Sequence, residues 1–121
     1  MLKFLSFGSG SSGNCYILFT GADCLMIDCG VGIRTLKKHF YNYGLQMSMI
    51  HHILITHDHA DHVKSVGSIS GDLQLPVYAT DGTLQGIRNN WCVRRKIDAK
   101  LTHTINKEEE IQLGEFKVVA F

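Results

Sequence analysis

The run Thr56-His57-Asp58-His59-Ala60-Asp61-His62 limits what this chain can be more than any other part of it. Three imidazoles and two carboxylates sit directly behind Ile53-Leu54-Ile55, an apolar stretch that reads as a buried central strand. Polar groups placed straight after a buried strand need partners, and packing alone has no use for an H-x-H-x-D-H spacing. In extended backbone His57 and His59 point to the same side. If the chain then turns into a helix, Asp61 and His62 occupy its first turn and swing towards the same point. Neutral imidazole and carboxylate suit zinc, manganese or iron. His57, His59, Asp61 and His62 are too many ligands for easy geometry at one ion, and they suit two ions about 3.5–4 Å apart that share the loop.

The flanking pattern predicts an α/β chain with strand-rich edges. Residues 3–7, 14–20 and 24–28 read as strands joined by tight turns, the second turn being Gly21-Ala22-Asp23, which points to an antiparallel opening rather than βαβ units. Over 33–43 the period changes: Ile33, Leu36, Phe40 and Tyr43 fall on one helical face, and Gly44 is the stop. Residues 49–56 read as a buried strand, 62–70 as a short helix, 75–79 as a strand, and 81–90 as a helix capped by Thr80. Residues 97–105 are ambiguous, and 116–121 form a strand after the turn at Gly114-Glu115. There is no internal repeat or linker, so residues 1–121 are expected to form one domain. The apolar run at 116–121 suggests a chain truncated at its C-terminus.

Composition excludes more than it proposes. A net charge of +1 gives no global field that would steer the chain to nucleic acid or membrane. No apolar run approaches the ~20 residues of a membrane span, and no signal peptide is visible. None of the four cysteines forms a C-x-x-C pair, so free thiols in a reducing cytoplasm are expected. His39, His51, His52 and His103 read as surface histidines, and Arg94-Arg95-Lys96 beside Trp91 as a solvated charged turn, the alternative being contact with a nucleic-acid backbone or base.

Gly8-Ser9-Gly10-Ser11-Ser12-Gly13-Asn14 offers backbone N–H groups and hydroxyls suited to a phosphate, so Ser9, Ser11, Ser12 and Asn14 are candidate substrate contacts. The loop also matches G-x-G-x-x-G, but a dinucleotide fingerprint needs a helix after the glycines and 15–19 reads as a strand.

Thr-His-x-His-x-Asp-His after an apolar strand resembles the signature loop of the metallo-β-lactamase superfamily. Ile27-Asp28-Cys29-Gly30 resembles its upstream motif, and the glycine-serine opening is similar to the WalJ/YycJ branch, bacterial hydrolases related to nucleases of this superfamily. The resemblance implies an αββα sandwich of which this chain is the N-terminal half. It implies that His57 and His59 bind one metal and Asp61 and His62 a second, both zinc positions that manganese or iron would also fill. Asp28 would orient the loop from behind, and Asp61 would both bind metal and orient the nucleophile. Two metals would lower the pKa of a shared water from 15.7 towards ~7 for attack on phosphorus or carbon. A phosphodiesterase acting on DNA or RNA is the reading this branch implies. The alternatives are a hydrolase of small esters, thioesters or lactams, and an inactive half-domain whose missing ligands come from a C-terminal half or a second copy in a homodimer.

Overall fold

The computed structural model of the protein describes residues 2–120. Its strands are β1 (Lys3–Gly8), β2 (Cys15–Phe19), β3 (Cys24–Ile27), β4 (His52–Leu54), β5 (Val77–Ala79), β6 (Thr102–Thr104), β7 (Glu110–Leu113) and β8 (Phe116–Val119). Its helices are α1 (Ile33–Asn42), α2 (Ala60–Val63), α3 (Val66–Leu73) and α4 (Asp81–Asn89). The first six strands form one sheet in chain order, and β7 and β8 form a separate hairpin. The opening is antiparallel, as expected, because the β1–β2 and β2–β3 connections are short. From β3 to β6 the strands run parallel, since each connection carries a helix.

Strict alternation divides the sheet's side chains between two cores. Cys15, Ile17, Cys24, Met26, Ile53, Ile55, Val77 and Ala79 face one side, where Leu36, Phe40, Val63, Val66, Ile69, Leu84 and Ile87 of the four helices cover them. Leu18, Leu25, Ile27, Leu54 and Tyr78 face the other side, where Leu113, Phe116, Ile111 and Val118 of the hairpin pack. A fully buried aliphatic or aromatic side chain contributes ~1.5–3 kcal/mol, so the larger helical core dominates stability. Helices, sheet and hairpin are three of the four layers of an αββα sandwich.

The hairpin is fastened to the sheet by Asp23, which is buried. Its Oδ2 accepts the Glu115 N–H at 2.9 Å, and its Oδ1 meets His51 Nδ1 at 2.7 Å and the Cys24 N–H at 2.9 Å. Burial pushes the Asp23 carboxyl up, but these hydrogen bonds outweigh it and hold the pKa below its ordinary value.

The structure shifts several boundaries. The 62–70 helix is two helices, because Ser65 breaks the run: its N–H reaches the Cys29 carbonyl at 3.0 Å and its hydroxyl the Val31 carbonyl at 2.7 Å. Strand 49–56 shrinks to β4, since Met47–Met49 form a 3-10 turn. Tyr43, placed on the buried face of α1, lies past the last turn and is 55% exposed. Strand β7 went unread because only Ile111 and Leu113 interrupt a polar stretch. Phe121, the end of the predicted last strand, lies outside the described residues. His39 is not simply solvated: it stacks on Phe7 with centroids 5.1 Å apart. His52 is half-buried with an unpartnered Nδ1, and burial holds its pKa below the ordinary imidazole value.

Candidate metal centre

Parallel pairing places the carboxyl ends of β3, β4 and β5 side by side, the edge where open α/β sheets hold ligands. The register sets Ile27 opposite Leu54 and Leu54 opposite Tyr78. Asp28 therefore emerges beside Thr56-His57, and its N–H is held by the Leu54 carbonyl at 2.8 Å. Asp28 adopts a left-handed backbone, φ 65°, uncommon outside glycine and costing of order 1–3 kcal/mol. That twist turns its carboxylate, 2% exposed, under the histidine loop.

There the carboxylate organises three groups. Oδ1 accepts the Thr56 N–H at 2.8 Å, and Oδ2 accepts the Thr56 hydroxyl at 2.7 Å. His62 Nδ1 lies 2.7 Å from the same Oδ2. A carboxylate only accepts, so the Thr56 proton goes to Asp28 and the Thr56 oxygen is left to accept from His57 Nδ1 at 2.9 Å. Both Nδ1 atoms are then donors, and both Nε2 atoms carry free lone pairs, the tautomer a metal ligand needs. Thr56 is the residue sequence reasoning missed: it heads the motif, but nothing in the spacing marks it as the link between Asp28 and His57.

Helix α2 begins at Ala60 and puts Asp61 and His62 in its first turn, as the spacing implies. Asp61 Oδ1 faces His62 Nε2 at 4.0 Å. Metal–ligand bonds of ~2.0–2.2 Å let two ligand atoms on one ion lie up to ~4.2 Å apart, so this pair fits an ion in donor type and spacing. The rings of His57 and His62 stand 4.7 Å apart, and that of His59 lies 5.9 Å from His57 and 6.4 Å from His62. His59 is open to solvent, with a side chain 72% exposed and its Nε2 3.9 Å from Asp58 Oδ1. The tightest group of potential donor atoms is Asp28, His57 and His62, all within 4.8 Å of one another. Asp28 enters that group through the hydrogen bonds just described.

The glycine-serine loop is tied to the same centre. Asn14, 8% exposed, donates its backbone N–H to the Asp61 carbonyl at 2.7 Å. Its side-chain amide donates to that carbonyl at 3.1 Å, to Asp61 Oδ2 at 3.3 Å and to the Gly10 carbonyl at 2.8 Å. Ser9, Ser11 and Ser12 are exposed. The segment after the loop is strand β2, which agrees with rejecting a dinucleotide site. A cleft of about 410 Å³ opens beside His57, between Thr80, Thr83, Ile105 and the β8 residues Val118 and Val119.

Three comparisons with known proteins fit this geometry. Over 119 residues the chain is 27% identical to the exodeoxyribonuclease WalJ of Streptococcus pneumoniae, covering 98% of the chain but 44% of that protein. Over 82 residues it is 34% identical to the exodeoxyribonuclease YycJ of Bacillus anthracis, covering 68% of the chain and 31% of that protein. The chain thus spans less than half the length of these curated relatives. A solved B3 metallo-β-lactamase, described as the first with an active-site glutamic acid, superposes with a TM-score of 0.77 at 17% identity, over 94% of this chain and 47% of that one. No helix among the described residues is long and apolar enough to cross a membrane. The model of the β-lactamase superfamily domain matches residues 24–121, from β3 through the histidine loop, and the chain belongs to that family, with the metallo-β-lactamase fold.

Proposed function

We propose that this chain supplies the metal-holding part of a metal-dependent phosphodiesterase that removes nucleotides from DNA ends. The observation that carries the reading is the Asp28–Thr56 relay, which fixes His57 and His62 with both Nε2 atoms free beside Asp61. The relatives named as exodeoxyribonucleases supply the substrate class.

In this reading His57 and His59 hold one divalent ion, and Asp61 and His62 a second, with zinc favoured over manganese or iron by the imidazole content. When bound, the two ions activate water and polarise the phosphate. The chain's own residues do the rest. Asp28, directly at His62 and through Thr56 at His57, holds each Nδ1 hydrogen so that the Nε2 lone pairs point outward, and it fixes both rings in rotation. Asp61, steadied by the Asn14 amide, binds and orients the attacking water. Asn14 also sets the height of the glycine-serine loop, whose Ser9, Ser11 and Ser12 hydroxyls meet a phosphate of the substrate. Further ligands come from outside residues 1–121 or from a second copy. The four cysteines remain thiols in a reducing cytoplasm.

The test is to incubate the protein, in its natural reading frame, with end-labelled DNA, a thioester and a β-lactam, with and without chelator. Mononucleotide release from DNA ends, abolished by chelator and lowered about 10²–10⁴-fold by Asp61→Asn, is the expected result. Turnover of the thioester or lactam without DNA, or DNA degradation that ignores chelator, would overturn the reading.

A further inference from the structure

We propose that Trp91, with Arg88 and Arg94, is a stacking platform for the single-stranded end of a nucleic acid, built beside the histidine loop. That the strand is DNA rests on the nuclease reading above; the platform itself rests on the following geometry.

Trp91 is the chain's single tryptophan and is 83% exposed. An indole left in water by a floppy loop would carry little meaning, but this loop is clamped on all sides. Val93 is fully buried. The Arg95 guanidinium pairs with Asp72 at 2.6 Å and lies over Gly71. The Arg95 carbonyl rests so closely on α3 that a Cβ at Gly67 would come within 1.6 Å of it. Lys96 Nζ donates to the Asn90 carbonyl at 2.7 Å, neutralising the C-terminal end of α4. The Asn90 side chain receives the Cys92 N–H at 2.9 Å. The turn is rigid, and its tryptophan is held out rather than left out.

The same turn is bolted to the histidine loop. Asn90 Nδ2 donates to the Asp58 carbonyl at 2.9 Å, and Asp58 lies between His57 and His59. One turn earlier on α4, Gly86 leaves room for the Asp58 carboxylate, which an added Cβ would meet at 1.8 Å. Trp91 therefore stands one residue from a direct contact with the loop.

The charges around it divide cleanly. Arg95 and Lys96 are spent on holding the turn, whereas Arg88 and Arg94 are exposed and have no ion-pair partner among the described residues. An exposed indole with an exposed, unpaired arginine three residues to either side of it in the chain matches a strand of alternating bases and phosphates: the ring takes a base face, the cations take phosphates. A base must be unstacked to reach the indole, so the occupant is single-stranded and duplex is a poor substitute. The cluster Arg94-Arg95-Lys96, which the sequence presents as one solvated turn, is thus two structural cations and one free one.

The test titrates the protein with a phosphorothioate oligothymidylate, which resists hydrolysis, while reading intrinsic fluorescence. Excited at the red edge, where the four tyrosines do not absorb, the part of the signal that is lost in Trp91→Phe reports this site. Saturable quenching is expected. Trp91→Ala should weaken binding about tenfold by anisotropy of a labelled strand, and Trp91→Phe should retain most of it. The exposed position makes both variants safe for folding, which far-UV circular dichroism checks. Arg88→Ala with Arg94→Ala should flatten the slope of log K against log salt by about 1.4. Absent quenching, Trp91→Ala binding within twofold of wild type, or equal quenching by duplex would overturn the platform. Chelator-sensitive DNA cleavage without quenching sinks the platform and spares the nuclease reading; quenching with no cleavage at any metal does the reverse.

Discussion

Gly30→Ala should lower the thermal unfolding midpoint by ~10 °C or more. The new Cβ would lie 1.7 Å from the Asp61 carbonyl oxygen, 2.3 Å from its carbon and 2.8 Å from the His62 nitrogen. All three are backbone atoms of α2, so no side-chain rotation relieves the overlap. The Asp61 carbonyl is also the atom that receives both Asn14 donors. Relief requires lifting α2 from β3, which separates Cys29 N–H from the His62 carbonyl, now 2.7 Å away, and opens the core around buried Val63. The cost sits at the upper end for overpacking, ~3 kcal/mol or more, against a total of about 5–15 kcal/mol. Gly82→Ala is the matched control: nothing lies within 4 Å of its Cβ, and it sits in α4, where alanine is the better residue. A circular dichroism melt should show Gly30→Ala far below wild type and Gly82→Ala at or above it. Equal midpoints for Gly30→Ala and wild type would contradict this packing.

Asp28→Asn should weaken metal binding about 10–100-fold while leaving every proposed ligand in the sequence. The substitution keeps size and shape but replaces one accepting oxygen with an NH₂ group. One of its present partners, Thr56 N–H, Thr56 O–H or His62 Nδ1, then meets a donor instead of an acceptor. If the amide nitrogen takes the Oδ2 position, Thr56 turns its proton towards His57 and His62 loses its anchor. Both rings are then free to present the protonated nitrogen to the ion. A buried unsatisfied polar group adds a stability loss of ~1–3 kcal/mol. Competition titration against a chromophoric chelator measures the first effect and thermal melting the second. Unchanged affinity in a folded variant would show that the relay does not set the tautomers.

How much of this was legible beforehand follows from the range of each interaction. The apolar runs at 14–20 and 24–28 and the 33–43 helical spacing are local, and β2, β3 and α1 formed within those ranges. The Thr80 cap was local too, and Thr80 Oγ1 accepts the Thr83 N–H at 3.4 Å. The histidine loop was readable because its unusual residues are contiguous. What the sequence could not show are contacts between distant segments. Ser65 interrupts a helical run only because Cys29 and Val31 offer it carbonyls from 34 to 36 residues away. Asn14 reads in the sequence as a candidate substrate contact, and its tie to Asp61 spans 47 positions. The fastening of the hairpin by Asp23 spans 92. Asp28 was assigned a supporting role through family resemblance alone, and its left-handed backbone is invisible in the residue type. The split of Arg94-Arg95-Lys96 into free and structural cations depends on Asp72 and on two glycines of α3, none of them near in sequence.

The most direct test of the central claim is the metal content of the purified protein by elemental analysis, beside His57→Ala and His62→Ala variants of verified fold. The account predicts near-stoichiometric transition metal in the wild type and a clear loss in both variants. Equal metal in all three, or none in a folded wild type after reconstitution with zinc, would contradict it.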